Sequence, residues 1–195
     1  ILRMGKPLRR GEEAAQAEMY RKLGVPILAT LSGEASGEGG DMLWIDHDTL
    51  VIGLGFRTNL EAVKQVRAAL PSVNVITADL AYDQGPDACL HLMSFISMLD
   101  DDLAVIYKPQ MPVPFYQMLH KRGIQMVEVP AHEYITMGTN VLATAPREVL
   151  MLQGNPITRS RLEAAGCLVR TYKGDEISLK AEGGATCLTR PILRA

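Results

Sequence analysis

The 195-residue chain has little cysteine: three residues, Cys89, Cys167 and Cys187, which cannot all pair with one another and show none of the close CxxC spacing of a zinc knuckle. A disulfide scaffold is excluded, and a reducing cytoplasm is the simplest compartment. No apolar run approaches the roughly 20 residues of a membrane span, and residues 1–6 lack the apolar block of a signal peptide. Charge of either sign is not in excess. With 20 basic against 22 acidic side chains the net charge is −2, so nothing in the composition draws the chain to nucleic acid or an anionic membrane. What is present is 47% hydrophobic and 22% charged residues, the balance of an ordinary globular chain of one domain or two small ones.

The order of elements repeats. Two apolar runs, 42–45 and 50–53, flank the polar turn Asp46-His47-Asp48 and predict a hairpin. Thr58-Asn59 can cap a helix whose apolar positions Leu60, Val63, Val66, Ala69 and Leu70 keep helical spacing, and residues 73–76 predict a strand. The same order returns as an apolar run 90–98, a turn at 100–102, a strand 103–107, a helix opening near Pro112 and ending at Gly123, and a strand 124–129. A third copy has strands 140–144 and 148–152, a helix over 158–165 and a strand 167–170. Asp41, His91, Asn140 and Cys187 occupy equivalent positions, 50, 49 and 47 residues apart. A period near 50 points to a radial or stacked array of ββαβ units. In a radial array these positions converge on a central cavity.

The ends predict partial units. A helix around Ala14, Ala17, Met19 and Leu23 precedes a strand over 25–31, and the last unit has a first strand, 186–193, and stops. Two explanations are open: a natural N-terminal segment is missing, or the two ends share a closing unit.

Four groups of residues have chemistry to offer. Cys187 follows Gly183-Gly184-Ala185-Thr186, where glycines let backbone N–H groups approach a ligand. A lone cysteine is more often a small buried hydrophobe, and Cys89 and Cys167 fit that description better. His91 opens an apolar strand and is either a satisfied core histidine or an acid/base partner for a thiol. Glu38 and Asp41, in Glu38-Gly39-Gly40-Asp41, can hold a planar cation by paired N–H···O bonds, or serve a turn at a strand entry. Arg57, between a strand end and a helix start, can bind a carboxylate or remain solvated. His47, His120 and His132 read as turn, helix-surface and loop residues.

Taken in order, Glu38-Gly39-Gly40-Asp41, the run Ile52-Gly53-Leu54-Gly55-Phe56-Arg57-Thr58-Asn59, His91-Leu92, and Gly183-Gly184-Ala185-Thr186-Cys187-Leu188-Thr189 resemble the guanidine-modifying amidinotransferase superfamily. The dimethylarginine dimethylaminohydrolase branch is the best fit, and the match runs from about Arg9 to Arg194. The resemblance implies an α/β propeller of ββαβ units, the pentein fold, filling residues 1–195 as one domain with its N-terminal part missing. It also implies roles: Cys187 as nucleophile, His91 as general acid/base, Glu38 as the carboxylate that contacts the guanidinium or orients the histidine, and Arg57 as the group that holds the substrate's α-carboxylate. Asp41 is grouped with the substrate-binding residues or has a structural task. Two departures stand out. Met93 occupies the place, two residues after the histidine, where arginine deiminases and amidinotransferases carry aspartate. Residues 1–10 also contain no match to the aspartate that the family's first unit supplies.

The function implied is hydrolysis of a guanidino compound, methylated arginine or arginine-like, through a covalent thiouronium. It releases an amine or ammonia and a ureido product such as citrulline. It needs no metal and no cofactor, and the expected partner is the small guanidino substrate, without nucleic acid or membrane. Exposed edge strands of an incomplete ring would favour a homodimer. The alternatives are an amidinotransferase or arginine-deiminase-type enzyme, a catalytically silent pentein used in binding or assembly, and a redox-sensing thiol protein.

Overall fold

A computed structural model describes residues 1–192 of the chain. These divide into two compact units, Ile1–Leu92 and Met93 onward. Among the described residues no helix is long and apolar enough to cross a membrane.

The first unit opens with helix α1 (Glu12–Lys22), which buries only Ala17. Met19 and Leu23, expected on its apolar face, are exposed. Next come strands β1 (Met42–Asp46) and β2 (Thr49–Leu54), helix α2 (Leu60–Ala69) and strand β3 (Asn74–Asp79). Strands β1 and β2 are antiparallel, joined by the turn in which the Asp48 N–H donates to Asp46 Oδ1. Strand β3 lies parallel to β2, with Leu50 opposite Val75. A parallel partner cannot be reached by a tight turn, and α2 makes the crossover. Asn59 caps α2 by accepting from the Ala62 N–H at 3.0 Å, as the sequence predicts. Ala62, Val63 and Val66 of α2 pack on Leu50, Ile52 and Val75, and Leu31 and Ala35 close the core. β2 is buried along nearly its whole length, as expected of a central strand covered on both faces.

The second unit repeats the pattern twice. Strands β4 (Ile96–Asp100) and β5 (Leu103–Ile106), helix α3 (Val113–Lys121) and strand β6 (Gln125–Glu128) form one copy. A short helix, α4 (Ala131–Tyr134), leads to β7 (Leu142–Ala145), β8 (Glu148–Leu152), helix α5 (Pro156–Ala164) and β9 (Leu168–Tyr172). Both sheets show the antiparallel-then-parallel order of the first, β4-β5-β6 and β7-β8-β9. All three hairpins also share a register irregularity at the same place, before Asp46, Asp100 and Ala145. This structural repeat is independent of the side-chain pattern that predicted it. Leu99, Leu103, Val105, Val127, Val149, Met151 and Leu162 form a common core.

Four local expectations are corrected. Residues 25–31 join no sheet. Pro26 has no N–H to give a ladder, and the Leu31 N–H donates to the carbonyl of Ile1. The apolar run from residue 90 becomes a strand only at Ile96, because the Leu92 N–H donates to Asp41 Oδ1 and residues 92–94 make a 3₁₀ turn. Residues 186–192 are not a strand either. The Thr186 N–H donates to Asn140 Oδ1 and the Leu188 N–H to the Gly184 carbonyl, which winds the segment into a turn. Leu193 and Arg194 lie outside the described residues. His132, expected in a loop, lies in α4.

Candidate functional site

In the first unit the loop at residues 34–41 is anchored by the start of α2. Asn59 Oδ1 accepts from the Ser36 N–H, its Nδ2 donates to the Glu34 carbonyl, and Thr58 Oγ1 accepts from the Glu38 N–H and donates to Asp41 Oδ2 at 2.6 Å. Glu38 is thereby buried to 2% exposure. Its Oε1 accepts from the N–H groups of Gly5 and Lys6, and its Oε2 meets His91 Nε2 at 2.8 Å. The Arg57 guanidinium, also buried, stands 3.5 Å from Glu38 Oε1 and donates to the Ala88 carbonyl. Of the two roles implied for Glu38, the contact seen is the one that orients the histidine.

Gly40 explains why the loop carries glycine there. A Cβ on it would lie 2.6 Å from His91 Nδ1, so any other residue would displace the ring. Asp41 is fully buried, and its two oxygens take the Leu92 N–H and the Thr58 hydroxyl. These partners tie it to the segment that carries His91 and to the start of α2, which suits the structural task left open for it in the sequence.

The electrostatics follow from these contacts. Burial pushes the Glu38 carboxyl up, but the His91 hydrogen bond, the Lys6 N–H and the charges of His91 and Arg57 outweigh it and hold the group at about 2. Burial pushes His91 down, but its hydrogen bonds to Cys89 and Glu38 and the Asp41 carboxylate raise it to about 10. The pair is therefore imidazolium and carboxylate at neutral pH. Asp41 is shifted up, chiefly by burial. Cys89, expected in a core, is exposed, and its Sγ lies 3.5 Å from His91 Nδ1. That hydrogen bond, ahead of the opposing effect of burial, pulls the pKa of the thiol down.

In the second unit Cys187 is exposed, and Cys167 is buried as expected. The Cys187 sulfur accepts from Asn140 Nδ2 at 3.0 Å. Asn140 and Thr186 were given no chemical role by the motifs, although Asn140 stands at the repeat position shared with His91 and Cys187; that shared position was the available signal. Cys89 was legible only as the residue two before His91. Among the described residues, no group of three or more His, Cys, Asp or Glu side chains is arranged to hold a metal ion.

Comparisons with known proteins bear on the family and the fold. The arginine deiminase family model matches residues 13–113 and 108–194. An uncharacterised protein of Bacillus subtilis, YkgA, is 31% identical over 191 residues, covering 98% of this chain and 63% of its own length. An arginine deiminase of Listeria welshimeri is 26% identical over 208 residues, covering 87% of this chain and 50% of its own. The chain thus spans about two thirds of YkgA and half of that deiminase. The fold is that of dimethylarginine dimethylaminohydrolase from Pseudomonas aeruginosa, with a TM-score of 0.78 at 22% identity over 96% of this chain and 68% of the other. It is equally that of the N-terminal domain of ArgZ, a cyanobacterial arginine dihydrolase, with a TM-score of 0.82 at 23% identity over 100% and 71%. The ordered motifs, the repeated ββαβ sheets and a family match along nearly the whole chain lead to one conclusion: the chain belongs to the arginine deiminase family of guanidine-modifying penteins.

Proposed function

We propose that the protein acts in a cysteine-dependent hydrolysis of a guanidino compound, arginine or an N-methylated arginine. The observation that carries this reading is the buried Glu38–His91 pair, which keeps an imidazole protonated at neutral pH. A protonated base suits a reaction whose first need is an acid. The guanidinium carbon is a poor electrophile, and its C–N bond breaks only if the departing nitrogen receives a proton.

The steps balance. The Cys187 thiolate attacks the guanidinium carbon. The C–N bond breaks as His91 gives its proton to the departing amine or ammonia, leaving an S-alkylthiouronium. Neutral His91 then takes a proton from water as the oxygen attacks the same carbon. The C–S bond breaks with its electron pair returning to sulfur, the remaining hydroxyl proton passes to the released amine or to water, and a ureido product leaves. Glu38 compensates the charge of His91 throughout, so the imidazole changes protonation without rotating. Arg57 is assigned the α-carboxylate of an amino-acid substrate. Its contacts to Glu38 and Ala88, at 3.5 and 3.3 Å, are longer than those of a tight bidentate pair and leave donors over. The free thiol chemistry suits a reducing cytoplasm.

Three neighbours inform the substrate class. The curated deiminase and the solved arginine dihydrolase are named for arginine, and the P. aeruginosa enzyme, named for dimethylarginine, is seen with citrulline, a ureido compound. Incubation of the protein with arginine, its methylated forms and other guanidino acids, reading ureido product, ammonia and methylamines, tests the proposal. Release of a ureido product from one of them is expected. No product from any of the panel contradicts the reading.

A further inference from the structure

Asn140 is 8% exposed and stands at the start of the third repeat. Its Oδ1 accepts two donors from one residue, the Thr186 N–H at 2.9 Å and the Thr186 hydroxyl at 2.7 Å. With the oxygen so occupied, the orientation of the amide is settled, and its NH₂ end faces the Cys187 sulfur at 3.0 Å. The backbone is shaped to admit this amide. A Cβ on Gly184 would lie 2.4 Å from Asn140 Oδ1 and 2.5 Å from its Cγ, so the second glycine before the cysteine is required by the asparagine itself.

The first unit contains the same device with a different end group. Asp41, at the equivalent repeat position, also accepts a backbone N–H through Oδ1, that of Leu92, and a threonine hydroxyl, that of Thr58. A Cβ on Gly53 would likewise crowd it, at 2.9 Å from Oδ1. Beside the imidazole the anchor is a carboxylate, which only accepts. Beside the sulfur it is an amide, which can also donate.

We propose that Asn140 is a positioning residue for the Cys187 sulfur: through Thr186 it fixes the turn, and through its N–H it holds the sulfur and favours negative charge on it. This rests on the reading of Cys187 as the nucleophile. The donor acts at two moments, before attack and when the C–S bond breaks with its electrons on sulfur.

The test is the rate of iodoacetamide alkylation at Cys187 in the whole chain, read on the Cys187 peptide by mass spectrometry across a pH series, with Cys89 in the same digest as reference. Asn140→Asp keeps an oxygen for Thr186 but turns an acceptor toward the sulfur. Its Cys187 rate at neutral pH is expected to fall about ten- to hundredfold, with the profile displaced to higher pH, while the Cys89 rate and the melting temperature hold. A wild-type Cys187 rate in Asn140→Asp overturns the proposal. Should that variant fail to fold, Gly184→Ala, whose methyl displaces the amide, carries the same expectation, and an unchanged rate there overturns it equally. Because alkylation needs no substrate, a slowed Asn140→Asp in a protein that turns over no guanidino compound sinks the enzymatic reading and leaves the Asn140–Cys187 coupling standing.

Discussion

His91 Nε2 lies 2.8 Å from Glu38 Oε2, across 53 residues of chain, and Glu38 has almost no exposure to solvent. The carboxylate is held by backbone N–H groups from Gly5 and Lys6 as well, so its position does not depend on the imidazole alone. The histidine's charge is thus a property of the fold, set by a loop that α2 anchors through Thr58 and Asn59.

Removing the imidazole removes the acid. His91→Ala is expected to lower turnover of the guanidino substrate by about 10²–10⁴-fold and, because it leaves the buried Glu38 carboxylate without its partner, to lower the melting temperature as well. The ureido assay checks the first, and calorimetry the second.

The pair also sets a pH dependence of stability. Glu38 is depressed from an ordinary 4.5 to about 2, so its contribution is complete above 4.5 and is lost as pH falls toward 2. His91 is raised from 6.5 to about 10, so its contribution is complete below 6.5 and is lost as pH rises toward 10. The stability difference between wild type and Glu38→Gln should be greatest between pH 4.5 and 6.5 and shrink on both sides. Melting temperatures across pH 3–10 test this window, and a difference independent of pH contradicts the pairing.

Helix α5 takes its N-terminal cap from outside itself. Glu133, on α4 and buried, accepts from the Ile157 N–H, the Thr158 N–H and the Thr158 hydroxyl. Glu133→Ala leaves those donors unmet in a buried place and is expected to destabilise the protein by about 1–3 kcal/mol in urea unfolding.

Core truncation supplies a scale for comparison. Leu162, fully buried in the second unit's core, is expected to cost about 2–5 kcal/mol on replacement by alanine. Asn59→Ala, which removes the α2 cap, should cost about 0.5–2 kcal/mol. Urea unfolding of both variants should preserve that order.

Much of the fold was legible because the ββαβ units carry local signals: the Asp46-His47-Asp48 turn, the Asn59 cap and the buried runs of β2 and β5 each agree with the element they belong to. Two of the failures share a cause. At residues 92 and 186 a side chain from a remote part of the sequence, Asp41 or Asn140, takes a backbone N–H that a strand would have used. An apolar run cannot announce such a capture. Cys89 was misjudged as core because it stands in a stretch that belongs to no strand or helix, where its sulfur is exposed beside His91. Glu38, Arg57, His91 and Cys187 were found through ordered motifs, whereas Thr58 and Asn140 act through contacts that only the fold creates.

The central claim is that sulfur at Cys187 forms a bond to the guanidinium carbon. Acid quenching of a reaction with the best guanidino substrate, followed by mass spectrometry of the Cys187 peptide, tests it most directly. The expected result is an added mass of the substrate's amidino portion on that peptide, absent from Cys187→Ser, which also forms no ureido product. Turnover at the wild-type rate by Cys187→Ser, or an adduct located on another residue, contradicts the account.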